Sequence, residues 1–137
     1  MMRSSDRGQS LVETALALPL VLLVLLGLVD LGRGFYYKIA VTDAAREAAS
    51  YAARTTGATS AQVAQVACNE TGFTPYGSAC PSAIQVTYVA PTSTAYDATL
   101  SVTVTYRMSL VTGYLVGRVF PVNPVGVSAT ATYPRLK

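Results

Sequence analysis

From Leu11 to Val29 the chain is almost continuously apolar, interrupted by Glu13, Thr14, Pro19 and Gly27. At about 1.5 Å per residue, a helix of that length just crosses a hydrocarbon core of roughly 30 Å. Pro19 would break a soluble helix, but in a membrane span the neighbouring helices re-satisfy the freed carbonyl. Beyond the span the pattern changes. FYYKIAVTDAAREAASYAAR, Phe35 to Arg54, contains neither Pro nor Gly and is rich in Ala, the strongest helix former. Ile39, Thr42, Ala45, Ala49 and Ala52/Ala53 recur at helical spacing. Asp43, Arg46, Glu47 and Arg54 fall on a polar flank, with Asp43 and Arg46 spaced for a local ion pair. Gly32 and Gly34 loosen the junction. The pattern predicts one long helix from about Leu11 to Arg54, on the order of 65 Å. A bilayer needs less, so the second half must pack on something else.

TTGATS closes this helix, and Thr59 or Ser60 is placed to cap a short second one, about Ala61 to Glu70, ending near Gly72. The period then shifts to two. AIQVTYVA puts Ile84, Val86 and Tyr88 on one face. ATLSVTVTYRMSL alternates Leu100, Val102, Val104, Tyr106, Met108 and Leu110 against Thr99, Ser101, Thr103, Thr105, Arg107 and Ser109. VGVSATATY repeats the alternation with Val125, Val127, Ala129, Ala131 and Tyr133. These are three half-buried strands, the first two joined as a hairpin through PTSTAYD. VTGYLVGRVFPVNP, between Val111 and Pro124, is broken by Gly and Pro and is expected to be a surface excursion. One apolar sheet face needs cover, and the Ala-rich helix face is the available partner. The fold class is α+β: a long N-terminal membrane-spanning helix continuing into a small domain with a short second helix and a roughly three-stranded antiparallel sheet packed on the helix.

Composition agrees with a membrane segment: 51% of the 137 residues are hydrophobic and only 12% charged. The net charge of +3 comes from scattered basic residues, which form no footprint for nucleic acid. There is no His, which removes the commonest general base and transition-metal ligand. The two cysteines, Cys68 and Cys80, are too few for a zinc site and too far apart for a CxxC redox pair. No paired-carboxylate chemistry is supported either, since Glu70 and Asp97 are isolated. An enzyme is not expected, nor any cofactor or metal.

Arg3 and Arg7 precede the span, whereas Asp30, Arg33 and Lys38 follow it nearly balanced. The positive-inside bias puts the N-terminus in the cytoplasm and the rest outside. In an oxidising compartment Cys68 and Cys80 would pair, stapling the second helix to the entry of the first strand; two buried free thiols are the alternative. LGLVDLGRGFYYK offers no A-x-A-like cleavage site, so the span is kept rather than removed as a secretory signal. Asp30 and Arg33 read as a headgroup-level pair, and Phe35, Tyr36 and Tyr37 as an interfacial aromatic belt. Asn69-Glu70-Thr71 matches the N-glycosylation pattern, a short motif that carries little weight alone.

Glu13 is the anomaly. A carboxylate in a span costs roughly 2.5–3.5 kcal/mol at the helix centre and less toward an end. Either it sits within reach of the headgroups, or it has a partner. Here the N-terminus resembles a type IV pilin-like signal: a short basic leader ending in Gly8, then Gln9 as the new terminus and Glu13 as its fifth residue. RGQSLVETALALPLVLLVLLGLVDLGRGFYY followed by DAAREAASYAAR is similar to the TadE-like family, pilin-like proteins of tight-adherence (Tad/Flp) pilus systems. The resemblance covers about the first 55 residues, and the strands match only in general layout.

The resemblance implies residues 1–8 as a prepilin-type leader, 9–31 as the transmembrane helix and 32–137 as an extracytoplasmic pilin-like domain. A membrane-embedded prepilin peptidase would cut between Gly8 and Gln9 and leave the helix in place. Glu13 of one subunit would then approach the new amine of a neighbour, a pairing that sets register in a dry helix bundle. The implied partners are the membrane, the peptidase and other pilin or pseudopilin subunits. The implied place is the bacterial cell membrane, single-pass, or an extracellular pilus. Small Flp-type major pilins carry Tyr directly after the Glu, where this chain has Thr14, and are far shorter. Both departures favour a minor pseudopilin. The competing function is a membrane-tethered binding module that never polymerises.

Overall fold

The computed structural model describes residues 4–91, 98–117 and 123–135; the side chains of 4–7, 115 and 116 are not described. The elements run α1 (Ser4–Arg54), α2 (Ser60–Glu70), β1 (Ile84–Val89), β2 (Thr99–Met108), α3 (Val111–Val116) and β3 (Val125–Pro134). They fall into two compact units. One comprises residues Met1–Arg33 and Leu110–Asn123, the other Gly34–Ser109 and Pro124–Lys137. The first unit holds the apolar half of α1 and α3. Its helix passes through Pro19 without ending, is long and apolar enough to cross a membrane, and leaves Leu11 and Leu16 71% and 73% exposed.

In the second unit the sheet order is β1-β2-β3, antiparallel throughout. Side chains alternate as the period of two predicts: Leu100, Val102, Val104 and Met108 are buried, while Arg107 is exposed. Against this face lies the Ala-rich stripe of α1. Val41, Ala44, Ala45, Ala48, Ala49, Ala52 and Ala53 are all at most 5% exposed. They share one core with Ile84, Leu100, Val102, Val104 and Ala131, and with Val63, Ala67 and Cys68 of α2. Ala suits this seam because its small side chain lets the helix backbone come close to the sheet.

The buried stripe is not quite the expected one. Ile39 is 64% exposed, and Val41, Ala44 and Ala48 are buried alongside the expected Ala45, Ala49, Ala52 and Ala53. The polar flank is where the spacing put it, with Asp43–Arg46 at 3.8 Å and Glu47–Arg54 at 3.4 Å, both solvent-exposed. Tyr37 also packs against other rings. Its ring lies 5.2 Å from Phe73 and 4.6 Å from Tyr106, which are themselves 4.8 Å apart. This three-ring cluster ties α1, the loop after α2 and β2, each pair contributing about 0.5–1.5 kcal/mol beyond its burial. Phe35 and Tyr36 remain exposed.

Gly57 turns the chain between the helices at φ 76°, a backbone that side chains resist. Thr59 is the N-cap of α2: its hydroxyl accepts from Gln62 N, and the Gln62 side chain accepts from Thr59 N at 3.0 Å. Past the helix end, Gly72 takes φ 66°, and the buried Thr71 hydroxyl donates to Cys68 O at 2.7 Å. Asn69 Oδ1 accepts from Gln65 Nε2 and Gly77 N, so this asparagine organises the loop. Cys68 and Cys80 are disulfide-bonded, Cα to Cα 5.6 Å, which staples the buried end of α2 at Cys68 to the exposed approach to β1. Most of the PTSTAYD connection, Asp97 included, lies outside the described residues.

Candidate functional site

The residues that the pilin-like signal singles out lie on the first turns of α1 in the first unit. Gly8 and Gln9 are helical and exposed, and a side chain at Gly8 would meet nothing within 4 Å. Glu13 is exposed one turn further on. It has no hydrogen bond or ion pair among the described residues, although Ser10, Thr14, Ala17, Leu18 and Val21 share a shallow open groove with it. Those positions follow the i, i+3, i+4 rhythm of a single helix face. Ser10, Thr14 and Ala17 are small, the property that allows membrane helices to approach closely. The Thr14 hydroxyl turns back onto Ser10 O at 2.9 Å, so it brings no unsatisfied polar group to that face. An exposed carboxylate therefore stands on a helix face of small and apolar residues.

A second carboxylate of α1 has the opposite surroundings. Asp30 is only 6% exposed. Its Oδ1 accepts from Val111 N at 2.8 Å, and its Oδ2 accepts from Thr112 N at 2.8 Å and from the Thr112 hydroxyl at 2.6 Å. Arg33 Nη1 lies 3.5 Å from Oδ1. The pairing of Asp30 with Arg33 is thus present, and Asp30 has a further role that the pair did not suggest: it caps α3. The surface excursion expected over Val111 to Pro124 begins as this short helix, with Tyr114 85% exposed; residues 118–122 lie outside the described ones.

The physical reason is visible at α3 itself. Its N-cap position is Leu110, which has no side chain to accept from the first amides. A helix start carries orphan N–H groups that some acceptor must satisfy. Asp30 supplies that acceptor from a distant part of the chain. The missing local cap was the signal in the sequence, but it does not say which acid answers it.

No curated protein and no solved structure matches the chain. Residues 8–50 match the family model of TadE-like proteins, a span that begins at Gly8 and ends inside the Ala-rich stripe. Over that segment, which includes Gly8, Gln9, Glu13, Asp30 and most of the helix face that covers the sheet, this chain is similar to TadE-like proteins.

Proposed function

We propose that the protein is a pilin-like structural subunit, a minor pseudopilin of a Tad/Flp-type type IV pilus. Prepilin peptidase cuts it between Gly8 and Gln9, and it takes part in pilus assembly, adhesion or secretion. Its role is structural, not catalytic. It crosses the bacterial membrane once, residues 9–31 forming the span, with its N-terminus cytoplasmic and residues 32–137 outside. One observation carries the reading: the TadE-like match opens at Gly8, and the acid five residues into the processed chain stands exposed on an apolar helix. Alone in lipid that acid is a cost; beside the Gln9 amine of a neighbour it is compensated and fixes the axial stagger. The groove of Ser10, Thr14 and Ala17 gives the neighbouring helix room to approach.

The test is incorporation into sheared pili. Glu13→Ala should remove the protein from the filament fraction while membrane levels stay unchanged. Glu13→Asp, which keeps the charge, should retain part of it. Normal incorporation of Glu13→Ala would favour the non-polymerising tether.

A further inference from the structure

α3 turns its apolar side outward. Val111 and Tyr114, three apart on one helix face, are exposed, whereas Thr112 and Gly113 between them are half-buried. The polar groups are taken up by α1: Val111 N, Thr112 N and the Thr112 hydroxyl all donate to Asp30. At the other end Gly117 N donates to Gly113 O at 2.8 Å. No residue of VTGYLV is charged. A surface helix in water presents the opposite pattern, polar outward and apolar inward. Six residues are also too few for a helix to persist in water by itself. Water, moreover, would serve its first amides without an acid drawn from a distant part of the chain.

The cap also fixes the level at which α3 lies. From Leu11 to Val29 the apolar run of α1 nearly spans a hydrocarbon core of roughly 30 Å at about 1.5 Å per residue, so Asp30 falls at the boundary where the run ends. Leu28, Val29 and Leu31 beside it are exposed, so α3 adds apolar surface at the level where the lipid-facing surface of the span stops. We propose that α3 lies in the membrane interface, with Val111 and Tyr114 against the phospholipid headgroups and upper acyl chains, as a second membrane contact of the chain. Tyrosine suits that depth because its ring is apolar while its hydroxyl reaches water or a headgroup. Water is scarce there, and an amide without an acceptor carries a free-energy cost that the Asp30 carboxylate removes. A subunit that leaves the bilayer must then withdraw α3 together with the span. The proposal rests on residues 9–31 crossing the membrane and on no part of the pilus reading.

The test uses the full chain at one copy per phospholipid nanodisc. The sequence has no tryptophan, so a single one reports its own surroundings. Tyr114→Trp should lose about half its emission when the lipids carry bromine on the first half of their acyl chains, as expected of a side chain at the headgroup boundary. Leu20→Trp, in the middle of the apolar run, should be quenched more by bromine near the chain ends. Val89→Trp, apolar and exposed at the end of β1, should respond to neither. A Tyr114→Trp signal as unresponsive as that of Val89→Trp, with Leu20→Trp quenched, would overturn the place of α3 and leave the span standing. An unquenched Leu20→Trp would overturn both. Emission from Tyr114→Trp that shifts to the blue only with two or more copies per disc, without bromine quenching, would mean that a neighbouring chain covers α3, and would also overturn the proposal. Because tryptophan itself favours interfaces, the unmodified chain supplies a second measurement. A nitroxide on the lipid headgroup should broaden the amide resonances of Gly113 and Tyr114 as strongly as those of Leu31 and Gly32, and broadening no greater than at Val89 would overturn it.

Discussion

Asp30 and Glu13 are acids on one helix, and what surrounds each fixes what it does. Asp30 has three donors within 2.8 Å and little solvent, so removing it leaves two α3 amides without an acceptor. Loss of a side-chain cap costs about 0.5–2 kcal/mol. Asp30→Ala should therefore speed hydrogen exchange of the 111–116 amides by roughly an order of magnitude, with Asp30→Asn, which keeps one acceptor oxygen, in between. Exchange unchanged in Asp30→Ala would mean that α3 does not depend on this cap. Glu13 was legible because its oddity is local, a charge in an apolar run. The role of Asp30 was not, because its partners are far away in sequence and leave only an uncapped Leu110 as a trace.

Among the elements, strand alternation was the clearest signal. Hydroxyl and aliphatic residues differ so much in transfer free energy that one register of β2 buries Leu100, Val102 and Val104 and the other would bury Ser101, Thr103 and Thr105. The Ala-rich half of α1 has far less contrast. Ile39, Thr42, Ala45 and Ala49 make a helical stripe, and so do Val41, Ala44, Ala45 and Ala48; alanines lie on both, and packing on the sheet selects the second. Ile39→Ala should accordingly change stability by no more than about 0.5 kcal/mol, as exposed positions do. Ala48→Leu, forced into the seam, should cost about 1–3 kcal/mol. Denaturant midpoints of the two variants in detergent check both, and a larger effect at Ile39 than at Ala48 would mean the stripe is misplaced. The disulfide closes a sequence separation of 12 residues. Replacing both cysteines with Ser should cost about 3 kcal/mol by the loop-closure relation, read as a lower thermal midpoint.

At the scale of the molecule, the family signal and the fold cover different ground. The TadE-like match ends at residue 50, whereas the sheet, the disulfide and α2 lie beyond it. The helix that carries the match also supplies the Ala stripe on which the sheet folds, so one segment serves two physical demands: apolar all round before Arg33, and apolar on one stripe after Gly34. The first demand was plain from hydropathy alone. The place of α3 beside the apolar helix was not, since the cap that Asp30 gives it joins residues far apart in sequence.

The most direct measurement of the pilin reading is the intact mass of the protein from membranes of cells with and without a co-expressed prepilin peptidase. Mass is preferable to N-terminal degradation because a new Gln9 terminus can cyclise and block the chemistry. The account predicts loss of Met1–Gly8 only when the peptidase is present, and no loss when Gly8 is replaced by a bulky residue. A full-length Met1 form under both conditions would contradict it and leave a simple membrane tether.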